Sequence, residues 1–99
     1  MYRQELRFVL RFGVHGRFDE LTRKLHEEET ARGWSSPRIW HAVTGRVNEF
    51  VIEHEYADVD AFRRERAEFY DDPGAVGPLL AELSELVVPG TAVQAELSG

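Results

Sequence analysis

The sequence predicts an α+β chain: a four-stranded antiparallel sheet carrying its helices on one face, with elements in the order βαββαβ. Three observations predict it. Gly45 to Tyr56 reads as a tight turn feeding a strand, with Phe50, Ile52 and Tyr56 at alternate positions and Glu49, Glu53 and Glu55 between them. Phe18, Leu21 and Leu25 recur at helical spacing. The order of these segments makes two split βαβ halves, and right-handed crossovers put both helices on one side of a ferredoxin-like sandwich.

The elements follow in turn. Leu6 to Phe12 alternates, with Leu6, Phe8, Leu10 and Phe12 on one face and Arg7, Val9 and Arg11 on the other, so strand one is placed there. A loop with two glycines, Gly13 to Gly16, leads into a helix over Phe18–Glu29, which Gly33 ends. Trp34 to Pro37 is a connection and Ile39 to Thr44 is strand two. Thr44 to Asn48 holds a hairpin turn and Glu49 to Tyr56 is strand three. Asp58 suits the N-cap of a second helix reaching about Tyr70, with Val59, Phe62 and Phe69 as core candidates. Asp71-Asp72-Pro73-Gly74 breaks it. A further helical turn or two presents Leu79, Leu80, Leu83 and Leu86. After Pro89-Gly90, Thr91 to Leu97 alternates through Val93, Ala95 and Leu97 as strand four.

The 99 residues suit a single domain spanning 1–99, large enough for one core and with much surface for its volume. The hydrophobic fraction of 42% is that of a folded protein. The absence of cysteine removes disulfides, thiolate zinc sites and cysteine nucleophiles together. A net charge of −6 repels phosphate backbones, so nucleic acid is not an expected partner. No apolar run approaches the ~20 residues of a membrane span, and the first residues enter a strand pattern with no leader-like apolar stretch. The expectation is a cytoplasmic protein without a membrane partner. One sheet face would be bare, carrying Val9, Val51 and several charges, and a second copy packed sheet to sheet would cover it. A homodimer is therefore expected.

The segment Thr44 to Tyr56, followed by Ala57-Asp58-Val59-Asp60-Ala61-Phe62-Arg63-Arg64, resembles the NIPSNAP-type members of the dimeric α/β-barrel superfamily. The shared pattern is a turn, Asn-Glu, an apolar strand ending Glu-Tyr, and a helix rich in Ala and Arg. Leu6-Arg7-Phe8 through Gly16-Arg17-Phe18-Asp19-Glu20-Leu21 is similar too. The resemblance implies a barrel made by two copies. It also implies a small-molecule function, because the superfamily holds cofactor-free monooxygenases, polyketide cyclases, haem-handling enzymes and proteins of unknown role.

Candidate site residues fall in two groups. His41 and His54 lie on strands two and three, and a histidine suits proton transfer near neutral pH. A two-residue Gly45-Arg46 turn would set His41 across from Phe50, on the face of His54, and a one-residue slip would move it to the other face. His15 and His26 are expected in solvent. Arg7 and Arg11, on a strand beside strand three, could pair with Glu53 or hold a substrate's anionic oxygen. Trp40, like Trp34, could wall a pocket. Two histidines and scattered glutamates make a weak metal-ligand set, and there is no glycine-rich nucleotide loop, so neither metal nor cofactor is expected.

The reading is thus a small-molecule-binding protein of bacterial secondary metabolism, acting without a cofactor as a cyclase, isomerase or monooxygenase on an apolar or polycyclic ligand. The alternative is a non-catalytic dimeric binding or accessory protein.

Overall fold

The computed structural model describes all residues, 1–99. The elements are β1 (Tyr2–Val9), α1 (His15–Ala31), β2 (Arg38–His41), β3 (Glu49–Tyr56), α2 (Val59–Asp71), α3 (Val76–Glu85) and β4 (Val93–Ser98). The strands form one antiparallel sheet in the order β2-β3-β1-β4. The ferredoxin-like class is as the sequence predicts. The leucine-rich segment after Gly74 is a full ten-residue helix rather than a turn or two, and α1 packs beside it.

β1 lies nearer the N-terminus than its alternation suggests. Its length is set by its partner: Tyr2 pairs with Tyr56 and Val9 with Glu49, the two ends of β3. Beyond Val9 only isolated bonds continue: Leu10 bridges Val87 and donates its N–H to the Asn48 carbonyl, and Arg11 N–H donates to that of Leu86. Phe12, expected on strand one in line with Leu6, Phe8 and Leu10, lies past the end of β1 and is 80% exposed. β2 likewise stops at His41, not Thr44. Gly45 (φ 104°) and Asn48 (φ 61°) sit in the left-handed region and bend the loop away from the ladder, whose last bond joins Ala42 N–H to the Glu49 carbonyl. The register is nevertheless centred on Gly45-Arg46, with His41 opposite Phe50.

The two sheet faces follow from residue parity. Phe8, Phe50 and Ile52 point toward the helices and are buried with Leu10 against Phe18, Leu21 and Leu25 of α1 and Val76 and Leu83 of α3. Phe62 is buried beside Tyr2 and Tyr56, while Val59 stays half-buried at the start of α2. The other face carries Arg3, Glu5, Arg7 and Val9 of β1, Glu49, Val51, Glu53 and Glu55 of β3, Trp40 of β2, and Val93, Ala95 and Leu97 of β4. No helix covers it.

Both helix signals in the sequence hold. The Asp58 side chain accepts the Ala61 N–H at 2.8 Å. Gly33 (φ 73°) closes α1 with paired bonds from Gly33 N–H to the Thr30 carbonyl and from Trp34 N–H to the Glu29 carbonyl. That turn throws Trp34 back against α2, where its ring packs edge-on to Phe69 and its Nε1–H donates to Glu68 at 2.7 Å. No helix is long and apolar enough to cross a membrane.

Candidate functional site

A cavity of about 330 Å³ lies between the sheet and the helices. Its wall is mainly apolar, with Leu6 and Ile52 from the sheet, Leu25 from α1, Phe62 and Phe69 from α2 and Leu83 from α3. Titratable side chains interrupt that wall: Glu29, His54, Tyr56 and Glu65, with Arg66 and Tyr70 also on its border.

Glu29 follows Leu21 and Leu25 by successive steps of four, so the helix carries it into the buried face of α1. It is 8% exposed, and its Oε2 lies 3.1 Å from Nε2 of His54. In a neutral imidazole facing an ionised Glu29, Nε2 carries the proton that Glu29 accepts and Nδ1 is left as an acceptor. Glu65 lies on α2 between Phe62 and Phe69 and is half-buried. It accepts the Ser35 N–H, and Ser35 Oγ in turn donates to the Glu55 carbonyl at 2.8 Å. Burial holds the Glu65 carboxyl above the usual carboxylate range, against the opposing pull of the Ser35 N–H and the Tyr56 hydroxyl. Tyr56 is held well above the usual phenol range, first by burial and then by the charges of Glu65 and Glu29.

The residues singled out in the sequence divide between the two sheet faces. His54 lines the cavity. His41 shares its face but lies four residues along the strand, roughly 13 Å away; it is exposed and stacks on Phe50 at 4.5 Å with the rings 4° from parallel. His26 is exposed, whereas His15 is half-buried and packs against Phe50 rather than standing in solvent. Arg7, Trp40 and Glu53 are on the uncovered face, because adjacent strand residues such as Glu53 and His54 must point oppositely. The expected pairing of Arg7 or Arg11 with Glu53 is corrected. Glu53 stands opposite Glu5, and its cation is Arg3, which lies 3.7 Å from Glu53 and 3.2 Å from Glu55. Arg7 reaches Glu49 at 3.8 Å, and Arg11, past the end of β1, donates from Nε to the Glu85 carbonyl.

Sequence reasoning missed Glu29 and Glu65. The signal was available: each is a carboxylate at a position where the helical stripe calls for an apolar residue. For metal binding, Glu29 and His54 offer two donors and no third His, Cys, Asp or Glu joins them.

No family model matches the sequence, and no curated protein is similar to it at a significant level. Solved structures do match. A NIPSNAP domain protein from Burkholderia xenovorans superposes with a TM-score of 0.77 at 14% identity, covering 100% of this chain and 94% of that one. A NIPSNAP family protein from Agrobacterium tumefaciens gives 0.75 at 16% identity, over 98% of this chain and 90% of the other. A variant of SnoaB, described as a cofactor-independent oxygenase from Streptomyces nogalater, gives 0.72 at 20% identity over 99% and 91%. The chain thus has the ferredoxin-like fold of NIPSNAP and antibiotic biosynthesis monooxygenase proteins and is NIPSNAP-like in its architecture.

Proposed function

We propose that this protein is a cofactor-independent enzyme that removes a proton from an apolar small molecule held between sheet and helices. The observation that carries this reading is the Glu29–His54 pair at the wall of an apolar cavity. In the proposed step, His54 Nδ1 takes the proton from an acidic C–H of the ligand. The C–H bonding pair stays on the ligand as an enolate, and Nε2–H continues to donate to Glu29, which stabilises the imidazolium. Return of the proton from His54 at another atom completes an isomerisation; attack of the carbanion on an internal carbonyl, whose alkoxide oxygen then takes the proton back from His54, completes a cyclisation. The neighbour described as a cofactor-independent oxygenase supports chemistry that needs no bound cofactor. His41, Arg7, Arg11, Trp40 and Glu53 do not line this cavity, so His54 alone of the sequence candidates carries the step.

The test is deuterium exchange at the activated methylene of 2-tetralone, a two-ring ketone, followed by NMR in D₂O. The protein should raise exchange above the buffer rate, and His54→Gln should lower the protein-dependent rate by roughly 10²–10⁴-fold with little change in melting temperature. Full exchange activity in a folded His54→Gln protein overturns the assignment. A wild-type protein that never exceeds the buffer rate removes the enzymatic reading and leaves the binding or accessory one.

A further inference from the structure

The titratable groups around the cavity form an inventory of acceptors, and their charges do not cancel. Glu29 is matched by one imidazole. Glu65 accepts a hydrogen bond from the Ser35 N–H, and no arginine or lysine pairs with it. Arg66 also borders the cavity; its guanidinium lies over the ring of Tyr70, 5.6 Å from the centroid, and makes no ion pair with Glu65. His54 Nδ1 is an acceptor while Nε2–H faces Glu29. Gln4, the cross-strand neighbour of His54, adds an amide and no charge. Glu65 is half-buried, and a partly desolvated carboxylate without a cation gains from one brought by a ligand.

The rest of the wall suits a cation. The rings of Tyr56 and Phe62 meet edge to face at 5.3 Å, and Phe69 and Tyr70 border the same space. Aromatic faces attract ammonium groups most where water is excluded. A carboxylate-bearing ligand would set a further negative charge beside Glu65.

We propose that the ligand is an apolar molecule bearing a protonated amine, its ammonium group against Glu65 and its ring system among Tyr56, Phe62 and Phe69. This rests on the reading of the cavity as the ligand site, and adds to it the charge that the ligand must bring. An ammonium group supplies three N–H donors to an enclosure rich in acceptors and neutralises the unpaired carboxylate.

The experiment compares three ligands of one ring system on the intact protein: 2-naphthylmethylamine, 2-naphthalenemethanol and 2-naphthoate. Dissociation constants come from titrations monitored by backbone amide NMR signals of the cavity residues. The amine should bind at least 10-fold tighter than the alcohol, and the alcohol tighter than the carboxylate. In Glu65→Gln, the advantage of the amine should vanish while the affinity for the alcohol is kept. The wild-type series carries the test by itself if that variant does not fold. An alcohol that binds as tightly as the amine overturns the proposal and leaves proton transfer by His54 standing. If none of the three shifts the cavity signals at millimolar concentration, the cavity is not a ligand site and both readings fall.

Discussion

Glu65 shows how a single side chain records the conflict between stability and binding. Its folded-state carboxyl is raised above the ordinary value of 4.5, with burial the largest cause. The native state therefore holds the proton more tightly than the unfolded chain does. The stabilisation is fully present below the ordinary carboxylate value and is lost as the pH climbs through the raised one. Glu65→Gln keeps an oxygen for the Ser35 N–H and carries no charge to bury. Melting curves from pH 4 to pH 8 should show the variant gaining on wild type as the pH rises. A constant difference across that range would mean that Glu65 is not strained by its site. Glu29, facing an imidazole at 3.1 Å, has the compensation that Glu65 lacks.

At the scale of elements, two small devices fix the helices that frame the cavity. Gly33 adopts φ 73°, and a Cβ there would meet nothing within 4 Å, so only backbone strain opposes a side chain. Gly33→Ala should cost about 1–2 kcal/mol in urea unfolding, the cost of an L-residue in the left-handed region. Because this turn aims Trp34 at α2, the substitution should also disturb the Trp34–Glu68 bond and change the tryptophan emission. Asp58→Ala, which removes the cap from the Ala61 N–H, should cost about 1 kcal/mol with no such spectral change. Equal and negligible costs for both would show that these helix ends are held by packing alone. α2 depends on such polar clasps: Arg32 donates to the Asp72 and Pro73 carbonyls at 2.6 and 3.1 Å, and Ser35 holds Glu65.

The whole molecule exposes more than its size warrants. Its accessible surface is 6257 Å², against about 5,800 Å² expected for a monomer of 11.4 kDa, and 13 of 99 residues are buried. The uncovered sheet face contributes much of this apolar exposure, with Trp40 54%, Val93 62% and Leu97 48% exposed. Its centre carries both charges, Arg3 and Arg7 among Glu5, Glu49, Glu53 and Glu55, so a copy turned by a two-fold can meet it with opposite signs. We expect a homodimer through this face. Light scattering at micromolar concentration should give about twice the chain mass of 11.4 kDa. Val51→Asp, at the middle of the face and opposite Arg7, should return the mass to that of one chain while the far-ultraviolet circular dichroism is unchanged. A wild-type monomer at that concentration ends the expectation.

Much of this architecture is legible in the sequence. Local patterns decided it: period-two alternation placed β3 residue for residue at Glu49–Tyr56, and Gly33 and Asp58 marked helix ends through backbone geometry that only a few residue types supply. Glu53 and His54 even stated in sequence that they face opposite ways, a consequence of strand parity alone. The ends of β1 and β2 were a different matter, because a strand ends where its partner does. Phe12 alternates as well as Phe8, yet nothing pairs with it past the bend at Asn48. The site lay further beyond local pattern. Glu29 meets His54 across 25 positions of sequence, and Glu65 meets the Ser35 N–H across 30. The sequence could say that each glutamate breaks an apolar stripe. Only the packing of α1 and α2 onto one sheet face could decide what each carboxylate would meet, since pairing over such separations is fixed by tertiary contact and not by the propensity of either segment.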